Sequence, residues 1–296
     1  MFVHAESSEE VVFKAGYFTV VEVNHPQAKV VGLTFADAVA NAAPGGVYFG
    51  STGGMVSNCV IRHCRSYNWS GSGGAASFGG PGVLTHSVIS NCSADTWVGG
   101  GTKYVLEINQ GRFENNLVMG CHSGDQHTAD DCAALMTAGS AAVVRNNTFV
   151  NNRATNRGLL NVNASATFEN NVFAGNSYIT SSEETVSDTP SNHSSDVGFN
   201  FGSSASVAGV PVFVNCATDD AEPLNATCVV GTLETFFCDY ANGDLMPVAR
   251  GPLYNRGTDY EGMAAVDLAG RPRKSGRSID IGCYESNAAG FAVVVK

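Results

Sequence analysis

One short phrase recurs through the first 176 residues: an apolar pair, then two or three polar residues closing on Cys or Asn. It stands at Val60-Ile61-Arg62-His63-Cys64, Val88-Ile89-Ser90-Asn91-Cys92, Leu117-Val118-Met119-Gly120-Cys121, Thr148-Phe149-Val150-Asn151-Asn152 and Val172-Phe173-Ala174-Gly175-Asn176. With Phe35 of Leu33-Thr34-Phe35-Ala36-Asp37 placed ahead of them, the second members step by 26, 28, 29, 31 and 24 residues. A period of this length signals a solenoid, in which each unit buries its apolar face only by stacking on the next.

What fills each period decides the kind of solenoid. Gly-rich turns (Gly45-Gly46, Gly73-Gly74, Gly99-Gly100-Gly101, Gly158) precede short apolar or β-branched runs such as Val47-Tyr48-Phe49 and Tyr104-Val105-Leu106. No long window carries apolar residues at the helical period, so helical and leucine-rich repeats fit poorly. Two or three short strands per turn suit an all-β parallel β-helix, whose equivalent residues stack at about 4.8 Å.

Stacking then predicts columns. Ile61, Ile89, Val118, Phe149 and Phe173 should form an inward apolar ladder. Asn115-Asn116, Asn146-Asn147 and Asn170-Asn171 fall at matching offsets and should supply an Asn ladder that satisfies turn backbone groups. Cys64, Cys92 and Cys121 share one repeat position, within reach of a disulfide or of a buried thiol ladder. Cys121 with Cys132, and Cys216 with Cys228, would each close a short loop and are the better bridge candidates. Nine cysteines leave at least one thiol unpaired.

Composition points to a β-rich extracellular protein, with 15% charged residues, 34 Gly and 44% hydrophobic content. The formal charge of -11 argues against nucleic acid or an anionic membrane as partner, and against polyanionic substrates unless Ca²⁺ or a local basic groove intervenes. No stretch approaches a membrane span, and Met1 to Glu6 lacks the basic and apolar regions of a secretion signal. Val11 to Asn24 already reads as coil strands, so the expectation is a chain that begins inside a solenoid.

The chain divides into coils over 1–177, a Ser/Thr-rich excursion or lid over 178–210, and the last coils with a C-terminal cap over 211–296. The final region carries Phe236-Phe237-Cys238-Asp239, Ala241-Asn242-Gly243-Asp244-Leu245, Gly251-Pro252-Leu253-Tyr254-Asn255-Arg256-Gly257, Asp267-Leu268-Ala269-Gly270-Arg271-Pro272-Arg273 and Ile279-Asp280-Ile281-Gly282-Cys283-Tyr284-Glu285 in order. With the Gly-Gly and Asn-Asn repeats, these resemble bacterial right-handed parallel β-helix proteins of the "choice-of-anchor Q" type, within the pectin-lyase-like superfamily. Tyr254-Asn255 departs from the acidic turn usual there, and only Phe291 to Val295 reads as a strand after Glu285. The tail should close the open end of the solenoid, its Asp267, Arg271, Arg273, Asp280 and Glu285 binding one another and turn backbones.

The resemblance implies polysaccharide lyases and glycoside hydrolases, with an extended sugar chain lying on one sheet face. Lyase chemistry needs a cation beside a uronate carboxylate and a base for the α-proton; hydrolysis needs paired carboxylates. The densest candidate set is His122, Asp125, His127, Asp130 and Asp131, on an insertion bounded by Cys121 and Cys132, with Lys103, Tyr104 and Glu107 on the preceding coil. Asp130-Asp131 is similar to the paired aspartates of inverting polygalacturonases, but the Gly-His-Gly and Asn-Thr-Asp elements expected with them are absent. A polar loop that only solubilises its coil accounts for the same residues. Trp69, Trp97, Tyr67, Tyr104 and His63, with Arg62 and His86 nearby, are the candidate sugar platform; folding back over the coil edge is the alternative for both Trp. The sequence thus sets a monomeric polysaccharide- or cell-surface-glycan-binding protein, cleaving or not and with Ca²⁺ or a transition metal as candidate cofactor at the 122–131 insertion, against a non-catalytic surface stalk or adhesin. An acidic, base-poor sheet face with no stacked Lys or Arg would favour the latter.

Overall fold

The computed structural model describes residues 2–4, 11–41, 43–67, 73–95, 103–123, 133–155, 159–162, 166–179, 211–220 and 223–287. Its strands are mostly three residues long and pair in parallel, in sheets of twelve, nine and six strands that wind as one right-handed β-helix. In the nine- and six-stranded sheets the middle residue of each short strand points inward. In the nine-stranded sheet, Phe35, Ile61, Ile89, Val118, Phe149 and Phe173 lie in register and are buried. Phe149 and Phe173 stack at 5.0 Å and 8°, and Phe13 begins the same column on the first rung.

Short strands need sharp corners. At two corners per rung the chain adopts left-handed backbone, at His86, Asn115, Asn146 and Asn170 on one side and at Asp37, His63, Asn91 and Asn151 on the other. Asn and Asp tolerate this conformation better than most side chains. In each Asn pair the first residue therefore bends the chain, and the second builds the ladder. Asn147 Oδ1 accepts the Asn116 N–H at 2.9 Å, Asn171 Oδ1 accepts the Asn147 N–H at 3.0 Å, and each Nδ2 reaches a carbonyl of the core wall. Asn152 and Asn176 form a second ladder at the other corner. In the long strand Lys103–Glu114 the bend falls at Gly111, where φ is +89° and a Cβ would lie 2.4 Å from the Gly82 carbonyl oxygen.

The eight described cysteines are all thiols, so neither Cys121 nor the Cys216/Cys228 pair is bridged. Cys64, Cys92 and Cys121 form the buried thiol ladder, each Sγ facing backbone carbonyls. Cys132 lies outside the described residues.

The C-terminal region does its covering on a flank. Leu224 and Cys228 pack on the last rungs of the main core. Beyond them Phe236, Phe237, Leu245, Leu253, Ile281 and Cys283 form a second core with Leu117, Val150, Val172, Ala174 and Ala217 of the nine-stranded sheet. That sheet carries apolar residues on both faces, so its outer face must be covered. Polar clips run up the neighbouring corner: Thr258 N–H donates to Asn170 Oδ1 at 2.9 Å, Asn146 Nδ2 to Tyr260 Oη at 2.8 Å, and His86 Nε2 meets the Val266 carbonyl at 2.9 Å.

Charges inside this segment hold one another and its turns. Asp267 accepts the Ala269, Arg271 and Glu285 N–H groups and the Arg271 guanidinium. Asp280 accepts the Asn255 and Ser286 N–H groups. Arg273 is buried 3.4 Å from Glu285. The two Asp and two Arg balance, so a charge on Glu285 would be in excess. Burial outweighs Arg273 and raises the Glu285 carboxyl to about 8. A carboxyl raised on folding contributes stability in full below its ordinary value near 4.5, and that contribution is lost as pH climbs through about 8. Melting temperatures should therefore fall between pH 5 and 9 in the native chain and much less in Glu285→Gln. Equal slopes in the two proteins would show that Glu285 is ionised throughout.

Candidate functional site

The six-stranded sheet consists of Val39–Asn41, Arg65–Tyr67, Ser93–Asp95, His122–Ser123, Arg153–Thr155 and Ser177–Ile179. Its inward positions are small: Ala40, Ser66, Ala94, Ser123 and Ala154 are all buried. Alternation then sends the flanking residues outward. Register places Val39, Arg65, Ser93, His122, Arg153 and Ser177 in one outer column, and Asn41, Tyr67 and Asp95 in a second beside it. The Val39 N–H bonds to the Gly16 carbonyl at the same offset as the Arg65 N–H to Ala38, so Tyr17 heads the first column. Tyr17 is 68% exposed.

Three rungs supply a linked polar set. Arg65 Nε lies 2.5 Å from Asp95 Oδ2, and Ser93 Oγ donates to that oxygen at 3.2 Å. His122 Nε2 stands 3.9 Å from Asp95 Oδ1. The Arg65 guanidinium also lies 6.0 Å from the centre of the Tyr67 ring. Asp95 is almost buried, while Arg65 and His122 are about half exposed. A nearly buried carboxylate thus anchors two cationic or hydrogen-bonding groups that face solvent, and Arg153 stands one rung beyond. An Arg fork can engage a carboxylate, sulfate or hydroxyl pair, and an aromatic ring can meet an apolar sugar face.

The sequence-level candidates distribute unevenly around this set. His122 and Tyr67 lie in it. Trp69, Trp97 and Asp125 each follow a strand of the sheet by two residues, at Tyr67, Asp95 and Ser123. With His127, Asp130 and Asp131, they lie outside the described residues. Lys103 opens the next strand, its backbone in register with Ala133. Tyr104 is 9% exposed and has little surface to offer a sugar. His63 sits at the corner, 3.7 Å from Asp37 Oδ1, and Lys14 meets the other oxygen at 2.5 Å. Hydrogen bonding from Lys14 holds the Asp37 carboxyl below its ordinary value, with His63 and Arg62 adding to the effect. His86 stands at the opposite corner beneath the C-terminal segment, which separates it from Tyr67. Glu107 accepts from Ser77 Oγ at 2.9 Å on the outer face of the twelve-stranded sheet.

Tyr17, Arg65, Ser93, Asp95 and Arg153 were not among the sequence candidates. A usable signal existed: Arg65, Ser93, His122, Arg153 and Ser177 each directly follow the Cys or Asn that ends the repeated phrase.

Residues 19–209 match the family described as a right-handed β-helix region. The chain belongs to that family. No protein of curated function matches the chain. The matched span includes all six strands of the Arg65 sheet, and the β-helix continues beyond it through Val212–Val214, Ala217–Thr218 and Val229–Val230.

Among the described residues, the outer columns of the six-stranded sheet carry one carboxylate, Asp95, already held by Arg65 and Ser93. Calcium takes six to eight oxygen ligands, so this part of the β-helix does not fit that ion. Nor do three His, Cys, Asp or Glu side chains gather as a metal group among the described residues. No described helix is long and apolar enough to cross a membrane.

Proposed function

We propose that this β-helix binds an extended extracellular polysaccharide, with the sugar chain running along the solenoid axis over the outer face of the six-stranded sheet. The observation that carries the reading is the Arg65–Asp95–His122 set, with Tyr17, Tyr67 and Arg153 on the same columns. In a chain of net charge -11, this local basic, aromatic strip is what an acidic or hydroxyl-rich glycan needs. It also counts against the stalk reading, for which a base-poor face would be expected. If the glycan is cleaved, the described groups suit elimination better than hydrolysis: Arg65 or Arg153 beside a uronate carboxylate, His122 as base. The loop carboxylates Asp125, Asp130 and Asp131 are the candidates for hydrolysis.

A cell-surface or secreted setting, action as a monomer and kinship with the choice-of-anchor Q type belong to the same proposal. The motifs for that kinship lie mainly beyond the family match, which ends at residue 209. Electrophoresis through gels containing neutral or acidic polysaccharides should show retardation by at least one of them. Parallel assays would read ultraviolet absorbance for unsaturated ends and reducing ends for hydrolysis. Migration unchanged in every gel, with no product in either assay, would sink the proposal.

A further inference from the structure

We propose that Cys216 and Cys228 are a reversible dithiol–disulfide site that locks the last rung of the β-helix when a low-molecular-weight disulfide oxidises it. Ala217 and Thr218 pair in register with Val229 and Val230, and the Val229 N–H bonds to the Cys216 carbonyl at 2.8 Å. Cys216 and Cys228 are the preceding residues of these strands, so they are neighbours across one strand spacing of about 4.8 Å. That spacing lies inside the Cα separation a disulfide accepts, roughly 4.4–6.8 Å. The two thiols lie near enough that each shifts the ionisation of the other. They end the column that runs through Asn116, Asn147 and Asn171, where the stack changes from amides to sulfurs.

Access distinguishes this pair from the other stacked cysteines. Cys64, Cys92 and Cys121 are buried, whereas Cys228 is partly exposed and Cys216 buried. The approach to Cys228 is held in place: Asn225 bonds to the Phe213 carbonyl, Thr227 Oγ1 accepts the Asn215 N–H at 3.2 Å, and the Cys228 N–H reaches the Asn225 carbonyl at 3.1 Å. The neighbouring Cys216 thiol lowers the Cys228 thiol to about 7, so thiolate is present at neutral pH. In the first step the Cys228 thiolate attacks one sulfur of oxidised glutathione, forming a mixed disulfide and releasing one glutathione thiolate. Cys216 then loses its proton and attacks the Cys228 sulfur, the Cys216–Cys228 bond forms, and the second glutathione thiolate leaves. Two cysteines are oxidised and one glutathione disulfide is reduced to two thiols, the two leaving thiolates taking up the two protons that the cysteines lose.

The test uses the full reduced chain incubated with oxidised glutathione, then alkylated and mapped by peptide mass under non-reducing conditions. The expected result is a linked pair of peptides carrying Cys216 and Cys228, two hydrogens lighter than the sum of the free peptides, while Cys64, Cys92 and Cys121 stay alkylatable after denaturation. The melting temperature should rise by about 2–4 °C on oxidation and return on reduction, with no rise in Cys228→Ser. Because that variant could fold differently, Cys216→Ser supplies an independent control: it should stop at the glutathione adduct on Cys228. Nine free thiols after oxidation, a lasting adduct on Cys228 of the unmutated chain, or linkage through Cys64, Cys92 or Cys121 instead would overturn the proposal.

Discussion

Phe149→Ala is expected to cost about 3–5 kcal/mol, the range for emptying a buried aromatic site that cannot collapse. Phe149 is fully buried, stacks on Phe173 at 5.0 Å and lies 6.2 Å from Phe113. In a solenoid each rung is stabilised by its two neighbours, so one cavity weakens two interfaces together. For a domain of this size the melting temperature should drop by roughly 6–15 °C. Phe18, 77% exposed, is the control, and Phe18→Ala should stay within about 0.5 kcal/mol. Urea unfolding of the two variants side by side measures the difference. Similar midpoints would mean that the inward ladder is not the principal source of stability.

The second large effect concerns the outer columns. Arg65→Ala should weaken retention on the polysaccharide found by the gel screen by about 10–100-fold, the equivalent of one charge-assisted hydrogen bond at about 1.5–3 kcal/mol. Asp95→Asn should have a smaller effect in the same direction, because Arg65 would remain but lose the carboxylate that orients it at 2.5 Å. Circular dichroism should be unchanged in both. Binding equal to the native chain in Arg65→Ala would remove this sheet face from the account. If cleavage is found, His122→Ala should lower turnover more than affinity, a split that a purely structural role for His122 would not produce.

The periodicity exposed the β-helix because an inward ladder must recur once per rung, and Ile61, Ile89, Val118, Phe149 and Phe173 do so within a few residues of a constant step. The same phrase held a second message. Its first members, Val60, Val88, Leu117 and Val172, are apolar as well, and a strand that is apolar on both faces is covered on both. That second burial is why the C-terminal segment lies along the nine-stranded sheet, with Leu117 and Val172 in its core. The site was harder to read. Local density of His and Asp drew attention to the 122–131 insertion, whereas the Arg65 set is assembled from residues 65, 93, 95 and 122, on three different rungs. Only strand register brings these together, and loops of unequal length between rungs hide register from a linear reading. His63 and His86 show the converse: each is close in sequence to a strand of interest, yet corner geometry turns them to Asp37 and to the Val266 carbonyl.

The central claim is a track along the solenoid axis from Tyr17 to Ser177, seven rungs and therefore six steps of about 4.8 Å, or roughly 29 Å in all. Calorimetric titration with size-fractionated oligosaccharides of the retained polymer tests it most directly. Affinity should rise with oligomer length until the chain spans about 29 Å and then level off, with Arg65→Ala lowering the whole curve. Affinity that is already maximal for a disaccharide, or a curve that Arg65→Ala leaves in place, would contradict it.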